Sequence, residues 1–308
     1  MEEIYCFAGN PLDRASERRR DAAWIAGLLD DPAARILPLC ELRPLIRDGE
    51  AVELDWQPVA PWRETIKRGA TLVFLGLEEG RPYFAIDAGS AEIGGGSDRE
   101  PIDARSLAPL LPGGEAAILA EARSLIDWHA RHGFCAQCGS PTRVESAGWV
   151  RRCPECKASH YPRSDPVTIM LAVRGDYGLL GRNRRRPSAR FSCLAGFMEP
   201  GETLEESVRR EVREESGVHV GRVKYLACQP WPFPSSLMMG FICEALSKEI
   251  TVDPEELAEA RWFHRDEIRA MVARAASGPD DPTQVSLPGP VAIAHHICRR
   301  WSNGLDSL

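Results

Sequence analysis

The chain predicts a mixed α/β (α+β) protein of more than one globular unit. Three observations carry that reading. At 308 residues it exceeds one ordinary domain, and its 44% hydrophobic and 27% charged residues suffice for real cores. Strand-like apolar runs alternate with helical periodicity, and between two such stretches lies a short, turn-rich segment with clustered cysteines.

In chain order, Thr71–Leu77 and Pro82–Ile86 read as strands joined by a turn over Glu78–Arg81. Gly94-Gly95-Gly96-Ser97-Asp98 reads as a loop. Between Glu115 and His129, Ala116, Leu119, Ala122, Leu125, Ile126 and Trp128 follow a helical period. Val167–Val173 is an apolar, β-branched strand with a hairpin partner at Gly178–Gly181. A charged helix beyond residue 200, further strands and a C-terminal helix near 289–302 complete the pattern. The domains expected are 1–130 (mixed α/β), 131–161 (cysteine ribbon) and 162–308 (catalytic).

A net charge of −7 argues against general affinity for nucleic acid, which basic surfaces hold. The run Arg182, Arg184, Arg185, Arg186 and Arg190 reads as a solvated loop. No stretch of about 18 uncharged apolar residues suggests a membrane span. The acidic start Met1-Glu2-Glu3-Ile4 lacks signal-peptide character, so the cytoplasm is the expected compartment.

Cys135-x-x-Cys138 and Cys153-x-x-Cys156 stand 14 residues apart. Each pair lets two thiolates converge on one ion, and four complete a tetrahedron with no position open for water, as in a structural zinc site. A redox pair or two disulfides are the alternatives, but redox motifs come singly. Arg143, Arg151 and Arg152 permit nucleic-acid contact without requiring it. The remaining cysteines read as small apolar residues.

Gly196 to Val218 is the most informative stretch. Thr203 with Glu206 has capping-box spacing, and Gly217 stands where a helix stops. With Glu211 at zero on a helical wheel, Glu214 falls near about −60° and Glu215 near about +40°. The apolar Leu204, Val208 and Val212 fall at about +20°, +60° and +100°, so all three acids are expected to face the protein body. Clustered inward carboxylates repel one another and resist burial, and a divalent cation with hard oxygen ligands, Mg2+ or Mn2+, resolves both costs. A surface helix whose glutamates pair with Arg210 is the plainer alternative.

Gly196-x5-Glu202-x7-Arg210-Glu211-Val212-x-Glu214-Glu215-x-Gly217-Val218 resembles the Nudix box at every defined position over 23 residues. The resemblance implies a Nudix α/β/α sandwich that hydrolyses a nucleoside diphosphate linked to another group. It implies Glu211, Glu214 and Glu215 as metal ligands, with Glu202 and Arg210 supporting loop and helix. Cys228-Gln229-Pro230-Trp231-Pro232-Phe233-Pro234-Ser235-Ser236 resembles the S-Q-P-W-P-F-P-x-S marker of the NADH pyrophosphatase branch, with cysteine where serine is usual. Its prolines suit a stiff, extended segment holding aromatic rings, either as faces for a flat base or as packing. That branch carries a four-cysteine zinc ribbon in this same order.

The resemblance further implies substrate contacts at Phe197, Gln229, Trp231, Phe233, Ser236 and Ala292. It adds Tyr161 reaching across a homodimer, and Glu256 as a further ligand or base alongside Glu215. NADH or NAD+ would be cut to AMP and the nicotinamide mononucleotide. The alternatives are removal of NAD from the 5′ end of RNA, or a zinc-ribbon binding module with an inactive hydrolase domain.

Overall fold

A computed structural model describes residues 5–47, 52–89, 101–184, 189–278, 284–306 and 308. The expected glycine loop at 94–98, Met1–Ile4 of the N-terminus and Arg185 and Arg186 of the basic run lie outside them. The chain divides into two compact units: residues 1–164 with 230–235, and residues 165–229 with 236–308.

In the first unit, α1 (Ala22–Asp30) precedes β1 (Arg35–Cys40), and β2 (Leu72–Glu78) turns back into β3 (Arg81–Asp87). β3 pairs parallel with β1 and antiparallel with β2. Side chains alternate across these strands, so each face needs its own cover. Leu37, Leu39, Val73, Leu75 and Ala85 pack with Ile118, Leu119, Ala122, Leu125 and Ile126 of α2 (Glu115–Arg131). Ile36, Phe74, Phe84 and Ile86 pack with Trp24, Ile25, Leu28 and Leu29 of α1. The hairpin and α2 lie where periodicity put them.

Next come three short antiparallel strands, β4 (Arg143–Glu145), β5 (Val150–Arg152) and β6 (Ser159–His160). Their anchors are polar. Trp149 Nε1 donates to Phe74 O at 2.8 Å. Buried His129 bonds Gly148 O through Nε2 at 2.7 Å, and Arg151 Nη1 stands 2.9 Å from its Nδ1. Because Arg151 can only donate, Nδ1 accepts and the ring is neutral; burial pushes its pKa down to about 4.

The second unit is built on one sheet. β7 (Asp165–Arg174) pairs with β8 (Tyr177–Asn183) and β9 (Leu194–Phe197) antiparallel, and with β11 (Ser236–Ala245) parallel. β12 (Leu257–His264) closes one edge on β8, and β10 (Val220–Trp231) forms the other edge beside β11. Consecutive apolar residues in β7 follow from cover on both faces. Met170 and Ala172 pack with Val208 and Val212 of α3 (Leu204–Ser216). Ile169, Leu171 and Val173 pack with Ile268 and Met271 of α4 (Arg265–Ser277) and with Ile293, Ile297 and Trp301 of α5 (Ile293–Ser302). This is the α/β/α sandwich expected, although α5 starts at Ile293 rather than near 289.

One expectation fails here. The Trp-Pro-Phe-Pro segment is not extended throughout: β10 ends at Trp231 and residues 232–235 form a turn, with Phe233 N–H donating to Trp231 O at 2.8 Å. The chain has to reverse between β10 and β11, and the prolines fall at the end of an edge strand and in that reversal, where no ladder donor is needed. No helix among the described residues is long and apolar enough to cross a membrane.

Candidate active site

α3 begins and ends as its sequence dictates. Thr203 Oγ1 accepts from Glu206 N–H at 3.3 Å, and Glu206 Oε2 accepts from Thr203 N–H at 2.7 Å. Gly217, at φ 72°, caps the other end in a left-handed conformation that favours glycine. Buried Thr168 Oγ1 and Ser207 Oγ, 3.0 Å apart, pin the helix to β7.

Glu211 and Glu215 are buried, at 7% and 6% exposure. Glu214 is not: its side chain is 55% exposed, against the expectation that all three acids face inward. At about −60° on the wheel it lies beyond the apolar arc, and α3 turns only a narrow strip onto the sheet. Arg210 organises the cluster. Nε and Nη2 bond the two oxygens of Glu202 at 2.5 and 2.9 Å, and Nη1 bonds Glu211 at 2.7 Å and Glu214 at 2.9 Å. Nη2 also bonds Phe197 O at 2.9 Å. These bonds hold the Glu202 carboxyl down at about 2. Glu202 Oε2 also accepts from Glu199 N–H at 2.9 Å, tying the preceding loop to the helix.

Glu215 has no such partner. Its Oε2 is buried and accepts no hydrogen bond. Burial, then the charges of Glu211 and Glu256, pushes its carboxyl up to about 8, opposed only by a hydrogen bond from the Ala195 backbone. Glu211 is raised too, by burial first, with Arg210 opposing. Glu256 precedes β12 in a turn. That turn is held to α3 by Asp253 N–H on Glu215 O at 3.3 Å and Thr251 N–H on Ser216 O at 2.8 Å. Its neighbour Glu255 pairs with Arg184 at 3.1 Å.

The oxygens of these acids do not form a tight set: among the described residues, only the four cysteines make a group of three or more whose ligand atoms all lie within 4.8 Å of one another. Arg210 draws Glu211 and Glu214 to itself. Even so, the donors suit a hard divalent cation, since an unsatisfied buried carboxylate beside two further acids is costly without one. Gly196 shapes the same pocket. A Cβ there would stand under 3.0 Å from Cδ, Oε1 and Oε2 of Glu211, so the carboxylate rests on bare backbone.

Phe197 is 62% exposed in β9. Gln229 is fully buried; its amide donates to Val291 O and accepts from Ile293 N–H, both at 2.8 Å, holding the turn at Ala292 that starts α5. Ser236 opens β11 opposite Asp165. In the first unit Tyr161 is 62% exposed. Trp231 and Phe233 have packing partners: both rings meet Phe7 at 5.8 Å, and Arg105 lies over each, at 5.2 and 4.4 Å. Arg123 bonds Pro232 O.

The cysteines fold into two knuckles. Cys135 O accepts from Gly139 N–H at 2.9 Å, and Cys153 N–H donates to Ala158 O at 2.9 Å. The Sγ pairs Cys135–Cys156 and Cys138–Cys153 are each 3.5 Å apart. Four sulfurs bound at about 2.3 Å in a tetrahedron would stand roughly 3.8 Å from one another, so the set fits zinc with little adjustment.

Buried acids on a helix covering an α/β/α sheet, in a chain that also carries a four-thiolate ribbon, define a metal-assisted hydrolase with a structural zinc site. Comparison narrows the class. A NUDIX domain model matches residues 163–284, an NADH pyrophosphatase-like rudimentary NUDIX domain matches 33–128, and an NADH pyrophosphatase zinc ribbon domain matches 130–161. The NAD-capped RNA hydrolase NUDT12 of Homo sapiens is 37% identical over 96% of this chain and 72% of its own length. Nudix hydrolase 19, chloroplastic, of Arabidopsis thaliana is 33% identical over 98% and 86%. The NAD-capped RNA hydrolase NudC of Mycobacterium bovis is 39% identical over 75% of each. The chain belongs to the Nudix hydrolases, in their NADH pyrophosphatase branch with a zinc ribbon.

Several contributors escaped sequence reasoning. The Ala195 N–H and the bare backbone of Gly196 leave no side-chain signal. The rudimentary Nudix domain before the ribbon had only its hairpin and α2 to declare it.

Proposed function

We propose that the protein is an NAD(H) diphosphatase, hydrolysing NADH or NAD+ to AMP and the nicotinamide mononucleotide with Mg2+ or Mn2+. The observation that carries this is Glu215, a buried carboxylate lacking a cationic side-chain partner, beside Glu211 and Glu256. The dinucleotide is supported by what the similar human and mycobacterial proteins are named for. Those names also favour the second reading, removal of an NAD cap from RNA.

Glu211, Glu214, Glu215 and Glu256 would hold the divalent ions. When bound, such ions screen the diphosphate and make water more acidic. Arg210 keeps Glu211 and Glu214 in place and, through Phe197 O, positions the strand that carries the Phe197 ring. Glu215 is assigned the proton of the attacking water, with Glu256 as the alternative base. Phe197 offers an exposed ring to a flat nicotinamide, and Gln229 supports the Ala292 turn. Ser236, Trp231, Phe233 and Tyr161 keep the substrate contacts implied by the resemblance, Tyr161 across a homodimer. Domains are assigned at 1–130, 131–161 and 162–308. The cytoplasm is the assigned compartment.

The test is direct. Purified protein with NADH and Mn2+ or Mg2+ should release AMP and reduced nicotinamide mononucleotide, separated by chromatography, and chelator should stop it. Turnover that persists in excess chelator, or no AMP at all, defeats the reading. Gly196→Ala tests the site's shape: its methyl must displace the Glu211 carboxylate, and kcat/KM should fall about 100-fold, the order expected for a displacement of about 1 Å. Retention of half the wild-type value would show that Glu211 need not rest there.

A further inference from the structure

The outer face of α3 carries a groove of about 610 Å3, lined by Arg209, Arg210, Arg213, Glu214, His219 and Val220. It lies wholly within the second unit. Its charge is unusual for this chain. The protein is acidic at −7, and in this unit Arg182, Arg184, Arg222, Arg265, Arg269 and Arg300 each end on a carboxylate. Arg210 is taken up by three acids. Arg209 and Arg213, like Arg174, Arg261 and Arg274 elsewhere in the unit, form no ion pair with a described residue; what sets them apart is that they line one groove together.

Arg209 is nevertheless held still. Its Nε and Nη2 both donate to Gly221 O, at 3.2 and 3.1 Å. A neutral carbonyl orients the guanidinium without cancelling its charge, and this uses two of its five N–H donors. Arg213 is exposed one turn along the same face, and like charges at that spacing destabilise a helix by a few tenths of a kcal/mol. An anion between them would remove that cost. Exposed His219, whose backbone N–H is fixed by Ser247 Oγ at 3.1 Å, adds a ring donor to the lining. Glu214, part of the carboxylate cluster, also lines the groove.

NADH carries two phosphates, and both are occupied at the bond being cut. Two uncompensated guanidiniums, that of Arg209 oriented by Gly221 O, have nothing to hold in it. We propose that the groove binds a third phosphate, carried on the adenosine side of the dinucleotide and met first in the phosphodiester chain of NAD-capped single-stranded RNA. The inference rests on the diphosphatase reading and names the substrate feature that the site selects. The 2′-phosphate of NADPH is the other source of the same chemistry.

Arg213→Glu and the double variant Arg209→Glu/Arg213→Glu test it, with kcat/KM measured on NADH, NADPH and a 5′-NAD-capped RNA. NADH turnover should stay within about twofold of wild type, while a substrate with the third phosphate should lose about tenfold or more. Loss on capped RNA alone identifies the chain as the source, and loss on NADPH alone identifies the 2′-phosphate. Equal values on all three substrates, or a parallel fall on all three, overturn the proposal, as does wild-type enzyme that cuts NADH but neither of the others.

Binding of a fluorescent, uncapped single-stranded RNA by anisotropy reads the groove without any chemistry, so failure of the diphosphatase reading stays distinguishable. The double variant should bind at least tenfold more weakly. Its dependence of log K on log salt should be shallower by roughly 0.7 for each phosphate that the two arginines neutralise in the wild type. Unchanged affinity and slope would overturn the groove.

Discussion

Glu215→Gln is expected to lower kcat about 1000-fold, within the range spanned by loss of a general base, while the fold survives. The substitution keeps the shape of the side chain and an oxygen for the Ala195 N–H. It removes the charge that a cation or a proton must otherwise satisfy. Circular dichroism should be unchanged and KM should move little. Turnover within tenfold of wild type would mean that Glu215 neither takes the proton nor holds the ion.

The same residue makes metal-free protein sensitive to pH. Its carboxyl rises from an ordinary value of 4.5 in the unfolded chain to about 8 in the fold. The folded state therefore binds this proton more tightly, so its stability is intact below about pH 4.5 and is lost as pH rises toward 8. At about 1.4 kcal/mol per pKa unit the loss is at most about 5 kcal/mol. In chelator, Tm should fall between pH 5 and 8, and Mn2+ should restore it. Glu215→Gln should flatten that curve and melt above wild type at pH 8. A flat wild-type curve in chelator would remove the electrostatic basis of the assignment.

What sequence could reveal depended on how local the cause was. α3 was legible end to end because Thr203, Glu206 and Gly217 act within a few residues of the turns they make. β7 and its hairpin partner were legible for the same reason, and so were the knuckles. The wheel gave the direction of Glu214 but not the width of the strip that α3 buries, which depends on the sheet beneath. That Glu255 is drawn to Arg184, some 70 positions away, left no trace in the sequence around it. The Trp231 and Phe233 rings looked equally suited to stacking or packing, and Phe7 and Arg105, distant in sequence, supply the packing. Contacts that span the chain left no periodic trace.

Cys153→Ser should remove bound zinc and unfold the ribbon. Cys153 is fully buried and its Sγ stands 3.5 Å from that of Cys138, so a weaker, rarely ionised hydroxyl there breaks the tetrahedron at its best-shielded corner. Little else would hold the segment. Its strands have three, three and two residues, and β4 is exposed throughout. Three strands that short bury too little apolar surface to stand alone, so metal binding supplies most of the local folding free energy. Zinc measured by mass spectrometry should fall from about one per chain to near zero. The first unit's Tm should drop by about 10 °C, which at about 2–4 °C per kcal/mol corresponds to roughly 2.5–5 kcal/mol. Amide exchange should speed up over residues 133–160 while α2 stays protected, because α2 packs on the sheet through Leu119, Ala122 and Ile126. The bonds of His129 to Gly148 O and Arg151 would still tie the two together. A variant that lost its zinc yet kept both its Tm and its ribbon protection would show that the Trp149 and His129 anchors suffice, and the metal would then need a role other than structure.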